Sequence, residues 1–338
     1  MDDERGDFAV SELYPLKFRP VYKDYLWGGD RLASRFNRDL PGGRAAESWE
    51  ISAHPDGLSV VREGPLAGRG LDELVAVYGR DLLGSAAPED GFPLLIKLID
   101  ARDVLSVQVH PDNRSAARSG GDPKTEMWYF FEGDREAGVY CGLAPGTGRE
   151  NFLAAVREQR LADVLRRVPA AAGEAVWVPG GRVHAIGRGC LLLEIQQNSN
   201  TTYRVYDWDR VGHDGRPREL HLEQALEVID FGDEDDPRCT SRPFTEHGTA
   251  GDRICRSPYF RLDRFRLDAE ITLQTDGTTF HAWFLPDGEA RVRTAGGTTR
   301  WHGGESLLIP ASTGTYTIQP LEGGGQALRT TLPGAEGD

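Results

Sequence analysis

The sequence has no apolar run that could cross a membrane, which would take about 18 such residues in succession. Its densest apolar stretch, at 92–99, is only as long as a β-strand and includes Lys97. Residues 1–7 are acidic, whereas a secretory signal peptide starts with basic residues and continues with an apolar segment. We therefore expect neither a membrane partner nor secretion, and we predict a cytoplasmic protein.

Cysteine is scarce, with four residues in a chain of 338. Cys141, Cys190, Cys239 and Cys255 lie far apart, and no two of them form a C-x-x-C pair. Zinc-binding and redox motifs usually contain such closely spaced cysteines. The pattern predicts reduced, mostly buried thiols, with a disulfide or a cysteine metal site as the alternative.

Basic residues are outnumbered, since 39 lysines and arginines face 53 aspartates and glutamates, for a net charge of −14. Such a surface repels phosphate backbones and anionic membranes. We therefore expect no nucleic acid and no lipid surface among the partners. An anionic substrate would need a local cluster of basic residues that outweighs the field of the whole chain.

Glycine and proline are abundant, with 41 and 20 residues, and they separate many short β-rich segments. A chain of this length corresponds to about two domains and can bury a large core without disulfides. Many short strands with few helices favour barrels or sandwiches over a parallel βαβ sheet. We predict an all-β-dominated fold. The charged segment 230–236 suggests the boundary between domains 1–236 and 237–338.

Helical periodicity occurs in three pieces only, at 71–83, 151–168 and 222–229. We interpret 151–168 as a small helical insertion that covers one end of the first barrel. The apolar spacing within it is typical of a face packed on the core.

The segment 105–111 carries Ser106, Gln108 and His110 at a spacing of two. On a strand these side chains share one face, while the valines between them point to the other. An amide oxygen and an imidazole on one barrel face can serve as a pair of metal ligands. The same pattern also fits a polar strand face whose hydrogen bonds are satisfied.

Two later segments favour the metal interpretation. Lys124 and Glu126 share a strand face with Trp128 and Phe130, where a buried charge is costly unless it is paired or coordinated. The alternative is that both charges lie on a solvated face and pair across the strand. The third segment, 173–187, is a strand that stops at Pro-Gly-Gly and is followed by His184. A single histidine after a turn is more often structural than a ligand.

These segments resemble the sequence motifs of a known protein family. The third segment matches the second cupin motif, G-x5-P-x-G-x2-H, at every fixed position from 173 to 184. The first cupin motif is met in part by His110, Glu126 and Gly133, whereas Gln108 replaces its first histidine and Arg102 its opening glycine. The loop between His110 and Glu126 is lengthened to 15 residues.

Over most of residues 15–215 the chain resembles the type I zinc-dependent mannose-6-phosphate isomerases, in their compact bacterial form. Besides the two cupin motifs, the resemblance includes Y-L-W-G at 25–28, E-S-W at 47–49, H-P at 54–55, F-P-L-L-I-K at 92–97 and Glu194-x9-Arg204. It implies two cupin-type, jelly-roll β-barrels. It also implies a metal-dependent aldose–ketose isomerase that interconverts D-mannose 6-phosphate and D-fructose 6-phosphate through a cis-enediolate.

The resemblance implies one Zn²⁺ per chain, held by Gln108, His110, Glu126 and His184. The chemistry of these residues agrees, because two imidazoles, a carboxylate and a weak amide ligand suit Zn²⁺ and leave a position for substrate. The same imidazoles and carboxylate could instead hold Fe²⁺, as in oxygenases.

Further site residues follow from the resemblance. It implies catalytic roles for Arg204, Glu194, Lys124 and His54, and substrate-binding roles for Ser106, Lys97 and Arg210. The proton-transfer base is open among Glu194, Lys124 and His54. From the residues alone, Arg204 could instead pair with Glu194, and Arg210 could be a solvated arginine. Pro123 stands where relatives often have histidine, and Thr125 where many have proline.

Other functions fit the same ligands. The alternatives are a metal-dependent cupin oxygenase or lyase and a non-catalytic sugar-binding cupin. In the second barrel, Gly304-x5-Pro310 begins a cupin motif whose histidine is replaced by Thr315, and His281 and Glu289 have no matching strand. We expect this barrel to bind no metal and to provide packing or dimer surface. The expected partner is a phosphorylated sugar, and the chain is a monomer or a homodimer.

Overall fold

Short β-strands dominate the fold, as the spacing of glycine and proline predicts. The structure is a computed structural model that describes residues 12–133, 137–212, 215–322 and 325–334. In these described ranges six short α-helices, α1 to α6, lie between the strands: Arg31–Phe36, Leu71–Tyr78, Arg80–Leu83, Asn113–Ser119, Arg149–Arg157 and Leu222–Val228. The same ranges contain 3-10 turns at Pro41–Gly43 and Leu161–Val164.

The first thirteen strands form two larger sheets and one short pair. In chain order, β1 to β13 are Phe18–Arg19, Val21–Lys23, Glu47–Ser52, Val60–Val61, Leu94–Ala101, Val107–Val109, Glu126–Gly133, Gly138–Leu143, Leu165–Pro169, Ala175–Val178, His184–Ile186, Cys190–Gln197 and Tyr203–Tyr206. A six-stranded sheet has the order β10-β7-β12-β5-β3-β2, and a five-stranded sheet has the order β13-β6-β11-β8-β9. All pairings in both sheets are antiparallel.

The strands after segment 230–236 form a second pair of sheets. In chain order, β14 to β23 are Arg242–Glu246, Thr249–Arg256, Arg261–Arg266, Ile271–Gln274, His281–Leu285, Glu289–Thr294, Gly297–His302, Glu305–Ile309, Thr315–Glu322 and Gln326–Thr331. Their sheets have the orders β14-β15-β16-β23-β18-β21 and β17-β22-β19-β20. Each half of the chain thus contains a six-stranded sheet with a smaller partner.

Each sheet pair encloses its own core. In the first half, Trp128 and Leu192 of the six-stranded sheet pack with Val139 and Ile186 of the five-stranded sheet. The second half has a corresponding cluster in which Trp283 and Phe265 meet Trp301, Tyr316 and other residues of the four-stranded sheet. These two enclosed cores confirm the all-β prediction of two sandwich-like barrels.

The largest apolar cluster lies between the two six-stranded sheets. In this cluster, Met127 and Leu193 from the first half join Phe284 and Leu328 from the second. The first six-stranded sheet is therefore covered on both faces. This explains why every residue of β5 is buried, since a strand covered on both sides has no solvent face. Polar side chains on such strands need partners, which makes their positions informative.

The helical insertion differs from the prediction. Helix α5 ends at Arg157, Gln159 takes a positive φ of 57°, and residues 165–169 form β9, which pairs with β8. The prediction of a helix over 151–168 is therefore wrong after residue 157. Its apolar spacing arises because Leu161 and Leu165 are also buried, but in a 3-10 turn and a strand.

Helices α5 and α6 cover the outer face of the five-stranded sheet. Phe152 and Ala225 pack in one cluster with Val107 and Val109, whose side chains point away from the enclosed core. This position corrects the expectation that the insertion covers one end of the barrel. The predicted helix at 71–83 is broken at Gly79 into α2 and α3. Within the described residues, no helix has both the length and the apolar character required to cross a bilayer.

A buried polar network joins the two halves beside the apolar cluster. The carboxylate of Glu50 accepts hydrogen bonds from Ser48 Oγ at 2.5 Å, from Arg38 Nη2 at 2.7 Å and from Ser306 Oγ at 2.9 Å. Glu50 is 3% exposed, and Arg38 also donates to the carbonyl of Gly304. Removing one member of a buried charged pair leaves the other charge without compensation.

We expect Glu50→Ala to lower the free energy of unfolding by about 3 kcal/mol or more, because Arg38 would keep a buried charge without its carboxylate. Thermal or urea denaturation with circular dichroism measures this loss. Glu89→Ala is the control, since Glu89 is 89% exposed in its ion pair with Arg80, and such surface pairs contribute about 0–1 kcal/mol. Equal stability of the two variants would contradict the structural role of Glu50.

Candidate active site

Cross-strand pairing places three predicted site residues in one row of the five-stranded sheet. Gln108 of β6 lies opposite His184 of β11 on one side and opposite Arg204 of β13 on the other. Side chains directly opposite each other in an antiparallel ladder point to the same face. Because Val107 and Val109 occupy the outer face, this row faces the space between the two sheets.

A second row lies on the six-stranded sheet. Glu194 of β12 is paired with Lys97 of β5 and with Trp128 of β7. Glu126 is two residues from Trp128 on β7 and is paired with Gln196 of β12. The alternation that the sequence predicted for Glu126 and Trp128 therefore holds, and both side chains lie in the enclosed interior.

Two histidines and a carboxylate converge where the sheets face each other. The ligand atoms of His110, Glu126 and His184 all lie within 4.8 Å of one another. His110 Nε2 is 3.5 Å from Glu126 Oε2, and His184 Nε2 is 3.3 Å from Glu126 Oε1. All three side chains are at most 1% exposed. Among the described residues, this is the one group of three or more His, Cys, Asp or Glu with such a geometry.

The hydrogen bonding of these groups fits a metal site. His184 Nδ1 donates to the carbonyl of Arg182 at 2.8 Å, because a carbonyl can only accept, and this leaves the Nε2 lone pair facing Glu126. That Nε2 and Glu126 Oε1 are buried without hydrogen-bond partners. Buried polar atoms normally have partners. Two imidazoles and a carboxylate that converge in this way form a donor set that fits a divalent cation.

Burial sets the protonation of these groups. It lowers the pKa of His184 to about 3 and holds the pKa of His110 well below its ordinary value, and for His110 the charge of Lys124 adds to the effect. Burial also raises the pKa of Glu126 to about 7, against the opposing influence of Lys124. Both imidazoles are therefore neutral near pH 7, and neutral imidazole is the form that binds metals.

Lys124 lies inside the same enclosure. Its Nζ is 2.8 Å from Glu126 Oε2 and 3.1 Å from His110 Nε2. Lys124 belongs to the loop between His110 and Glu126. Within this loop, α4 begins with a capping box between Asp112 and Ser115. The lysine is 5% exposed, so its charge pairs with buried groups and not on a solvated face.

The two rows line a cavity of about 320 Å³. This is within the range of small-molecule sites, although near its lower end. Six of the predicted site residues line it: Lys97, Ser106, Gln108, Lys124, Glu194 and Arg204. The other described lining residues are Tyr25, Trp27, Glu47, Ile99, Leu105, Ile186, Asn200, Thr202 and Arg218.

Glu194 is paired with Lys97. Its Oε2 is 3.0 Å from Lys97 Nζ, and its Oε1 accepts from Trp128 Nε1 at 3.0 Å. Burial acts to raise the pKa of Glu194, but Lys97 and Lys124 outweigh it and the pKa falls to about 2. Burial lowers the pKa of Lys97, but Glu194 and Glu47 outweigh it and the pKa is raised. Both groups are therefore charged near pH 7.

Arg204 does not form the ion pair with Glu194 that the residues alone allowed. Its Nη1 donates to the carbonyl of Glu219 at 2.7 Å, while its buried Nε has no hydrogen-bond partner. Burial lowers the pKa of Arg204, and the charges of Arg218 and Arg210 add to this shift. Arginine is nevertheless charged at any physiological pH. A cation so placed at a cavity wall favours an anionic ligand.

The structure does not bring Arg210 or His54 to the described cavity wall. Strand β13 ends at Tyr206, and Trp208 and Asp209 take positive φ values of 56° and 54°. Arg210 therefore does not continue the strand that carries Arg204, and it instead binds Asp207 Oδ1 and the carbonyl of Val104.

His54 lies in the turn after β3. Its Nδ1 accepts a hydrogen bond from the backbone N–H of Asp56 at 3.1 Å, and its ring packs edge-on against Trp49. The sequence motif H-P thus marks a turn. The interpretation of His54 as a candidate base is not supported by its position.

Arg218 lines the cavity, and the sequence interpretation did not include it. Asp207 accepts from Arg218 Nε at 2.7 Å and from Nη2 at 2.5 Å, and this fixes the guanidinium at the cavity wall. No strand or motif predicts its place, because it lies in a loop outside the regular strands. Tyr25, Trp27 and Glu47 lie in motifs that support the family resemblance, but the sequence alone does not assign them to the site.

Comparisons with known proteins find relatives over most of this chain. A model of the catalytic domain of type I phosphomannose isomerase matches residues 15–129. A mannose-6-phosphate isomerase of Streptococcus mutans is 36% identical over 297 residues, covering 88% of this chain and 92% of that protein. A mannose-6-phosphate isomerase of Bacillus subtilis is 35% identical over 311 residues, covering 90% of this chain and 96% of that protein.

The solved structures agree as well. The crystal structure of the mannose 6-phosphate isomerase from Bacillus subtilis superposes with a TM-score of 0.85 at 30% identity, covering 94% of this chain and 99% of that one. Both halves of the molecule therefore share the cupin-type fold of that enzyme, as the resemblance implied. With this identity over about nine-tenths of its length, the chain belongs to the family of type I mannose-6-phosphate isomerases.

Proposed function

We propose that this protein interconverts D-mannose 6-phosphate and D-fructose 6-phosphate through a cis-enediolate. The observation that carries the proposal is one cavity lined both by Lys124 and Gln108, beside the buried histidine–carboxylate group, and by two arginines. A sugar phosphate needs a site for its reacting oxygens and a separate basic site for its phosphate. The relatives named above support the same reaction.

In this proposal His110, Glu126 and His184 hold one Zn²⁺ per chain, and Gln108, which lies opposite His184, supplies a weaker amide ligand. A divalent metal bound there provides Lewis-acid stabilisation for the negative charge that develops on the sugar oxygens. Gln108 lies between His184 and Arg204 on adjacent strands, which are separated by roughly 5 Å each. Gln108, His184 and Arg204 are thus held in register by the sheet.

Among the predicted bases, we assign proton transfer between C2 and C1 to Lys124 in its neutral amine form, because an ammonium group has no lone pair that could accept the C2 proton. Lys124 lines the cavity and lies directly beside the metal-ligand group. Glu194 is a poor proton acceptor, because Lys97 and Trp128 occupy its oxygens and its pKa is about 2. We assign Glu194 to positioning Lys97, whose remaining N–H donors can bind the sugar.

The phosphate is assigned to Arg204, Arg218 and Ser106. The two arginines provide planar donors that suit phosphate oxygens, and Ser106 is two residues before Gln108 on the same strand face. Asp207 holds Arg218 with two hydrogen bonds. A chain with a net charge of −14 needs a local cluster of basic residues to bind an anionic substrate, and these residues form such a cluster.

We expect Arg218→Ala to raise KM for mannose 6-phosphate by about 10- to 100-fold, since charge-assisted hydrogen bonds contribute about 1.5–3 kcal/mol. Steady-state kinetics over a range of sugar phosphate concentrations measure this. Arg210→Ala is the matched control, because Arg210 shares Asp207 with Arg218 but lies outside the described cavity wall. A larger effect of Arg210→Ala would assign the phosphate to Arg210, as the sequence first suggested.

The proposed reaction is tested by NMR with the metal-replete protein and mannose 6-phosphate in deuterated water. Formation of fructose 6-phosphate, with solvent deuterium appearing at C1 or C2, is the expected result. Substrate that binds and stays unchanged would indicate a sugar-binding protein. Oxygen consumption with an oxidised product, or cleavage of the sugar, would indicate the oxygenase or lyase chemistry that the ligands also allow.

A further inference from the structure

The Pro-Gly-Gly turn before His184 holds the segments of the other two proposed metal ligands through its backbone. The N–H of Gly181 donates to the carbonyl of His110 at 2.8 Å. The N–H of Gly180 donates to Thr125 Oγ1 at 3.1 Å, and Thr125 directly precedes the third ligand in the chain. Three separate stretches therefore meet at this turn, and one of the two hydrogen bonds that join them depends on a side-chain hydroxyl.

The hydroxyl, the N–H and the carbonyl of Thr125 all have partners, and the residue is 3% exposed. Its backbone N–H donates to Gln197 Oε1 at 2.9 Å, and its carbonyl accepts from the N–H of Gln197 at 3.1 Å. Gln197 is the last residue of β12, and its side chain extends the ladder between β12 and β7 by one residue. Thr125 thus ties its segment to the turn by its hydroxyl and to β12 by its backbone. Proline at this position would provide neither the N–H nor the hydroxyl.

The loop that carries Lys124 packs closely against the same turn. A Cβ atom on Gly180 would lie 2.6 Å from Asp112 Cα and 2.6 Å from the carbonyl oxygen of Pro111. These distances are well below van der Waals contact, so this close approach requires glycine. The carbonyl of Pro111 also accepts from the backbone N–H of Lys124 at 3.0 Å. The turn, the start of the loop and Lys124 thus form one packed unit, and the loss of a bond within it acts on the position of the lysine.

We propose that Thr125 is a positioning residue that fixes Lys124 and Glu126 relative to the two ligand histidines. It thereby sets the affinity of the site for its divalent metal and the place of the proposed base. This inference rests on the proposed function, because it takes these residues as the metal site. Thr125 is not among the described residues that line the cavity, and it acts through the residues on either side of it. Groups that orient metal ligands in this way contribute about 10- to 100-fold to metal affinity or activity.

The test compares Thr125→Val with the natural protein. Valine has nearly the shape of threonine but no hydroxyl, so the N–H of Gly180 loses its acceptor. After bound metal is removed, competition with a chromophoric chelator should give a Zn²⁺ dissociation constant about 10-fold higher for the variant. The kcat for mannose 6-phosphate and the exchange of its C2 proton should fall by a similar factor. KM should change little, because the residues assigned to the phosphate are unaltered.

Two further variants separate positioning from stability. Thr125→Ser keeps both the hydroxyl and the N–H, and it should restore metal affinity and kcat nearly to their natural values. Thr279→Val is the matched control, because Thr279 is also buried, at 7% exposure, and its Oγ1 accepts from the backbone N–H of Leu332 at 3.0 Å in the second half. This control should lower the free energy of unfolding and leave metal affinity unchanged.

Natural metal affinity in Thr125→Val would overturn the proposal, and so would a loss that Thr125→Ser does not restore or that Thr279→Val shares. If Thr125→Val folds poorly, Gln197→Ala decides the outcome, because it removes the acceptor of the Thr125 N–H. Weaker Zn²⁺ binding is expected in Gln197→Ala, and natural affinity there would overturn the proposal. Metal affinity is measured without substrate. A natural protein that binds Zn²⁺ but does not isomerise the sugar would therefore contradict the proposed function and not this inference.

Discussion

The His184→Ala variant is expected to lose bound divalent metal and to lose turnover of mannose 6-phosphate by about 10³-fold or more. A metal that stabilises transition-state charge contributes several kcal/mol, and each 1.4 kcal/mol corresponds to about tenfold in rate. His184 Nε2 is one of three ligand atoms within 4.8 Å of each other, so its removal leaves an incomplete set. Elemental analysis of dialysed protein and an isomerase assay measure both losses.

His54→Ala is the matched control for this variant. His54 occupies a turn and bonds to the backbone of Asp56, so its loss should leave metal content and turnover nearly unchanged. The natural protein should lose activity on chelation and regain it with Zn²⁺. If His184→Ala kept its metal and its turnover, the proposed ligand group would be wrong, and so would the mechanism that depends on it.

The Lys124→Met variant is expected to lower kcat by about 10²- to 10⁴-fold, which is the usual contribution of general acid–base catalysis. Methionine keeps much of the side-chain length but has no amine. Exchange of the sugar C2 proton with deuterated solvent should be lost to a similar degree, and this measurement reports the proton transfer itself. Elemental analysis should still find the metal, because the three ligands are intact.

Lys17→Met is the control for Lys124. Lys17 is equally buried, at 3% exposure, but its Nζ binds Glu305 at 3.0 Å in the contact between the halves. This variant should reduce stability and leave C2 proton exchange unchanged. If Lys124→Met retained proton exchange while Glu194→Gln abolished it, the assignment of the base would pass to Glu194.

The convergence of His110, Glu126 and His184 was predictable, because each lies in a motif or at a strand position where local rules act strongly. Alternation by two placed Gln108 and His110 on one face of a strand, and it placed Glu126 with Trp128. The Pro-Gly-Gly turn before His184 has a fixed spacing within the cupin motif. Burial then leaves such polar groups few options other than pairing or coordination.

Arg210 and Arg218 show where prediction from strand alternation and motif spacing fails. Parity predicts a side chain's face only while the strand continues, and β13 ends at Tyr206. Two residues with positive φ then turn the chain, and of the two arginines that Asp207 binds, Arg218 lines the described cavity and Arg210 does not. The helix predicted for 151–168 failed for a related reason, since Leu161 and Leu165 are buried by neighbours that are distant in sequence.

The sequence by itself determined the all-β architecture, the ligand types and the family, because these depend on local spacing and on motifs. Tertiary structure alone decided which sheets face each other and that Glu194 binds Lys97 and not Arg204. Those pairings join residues from separate strands. They depend on long-range packing, which local periodicity does not encode.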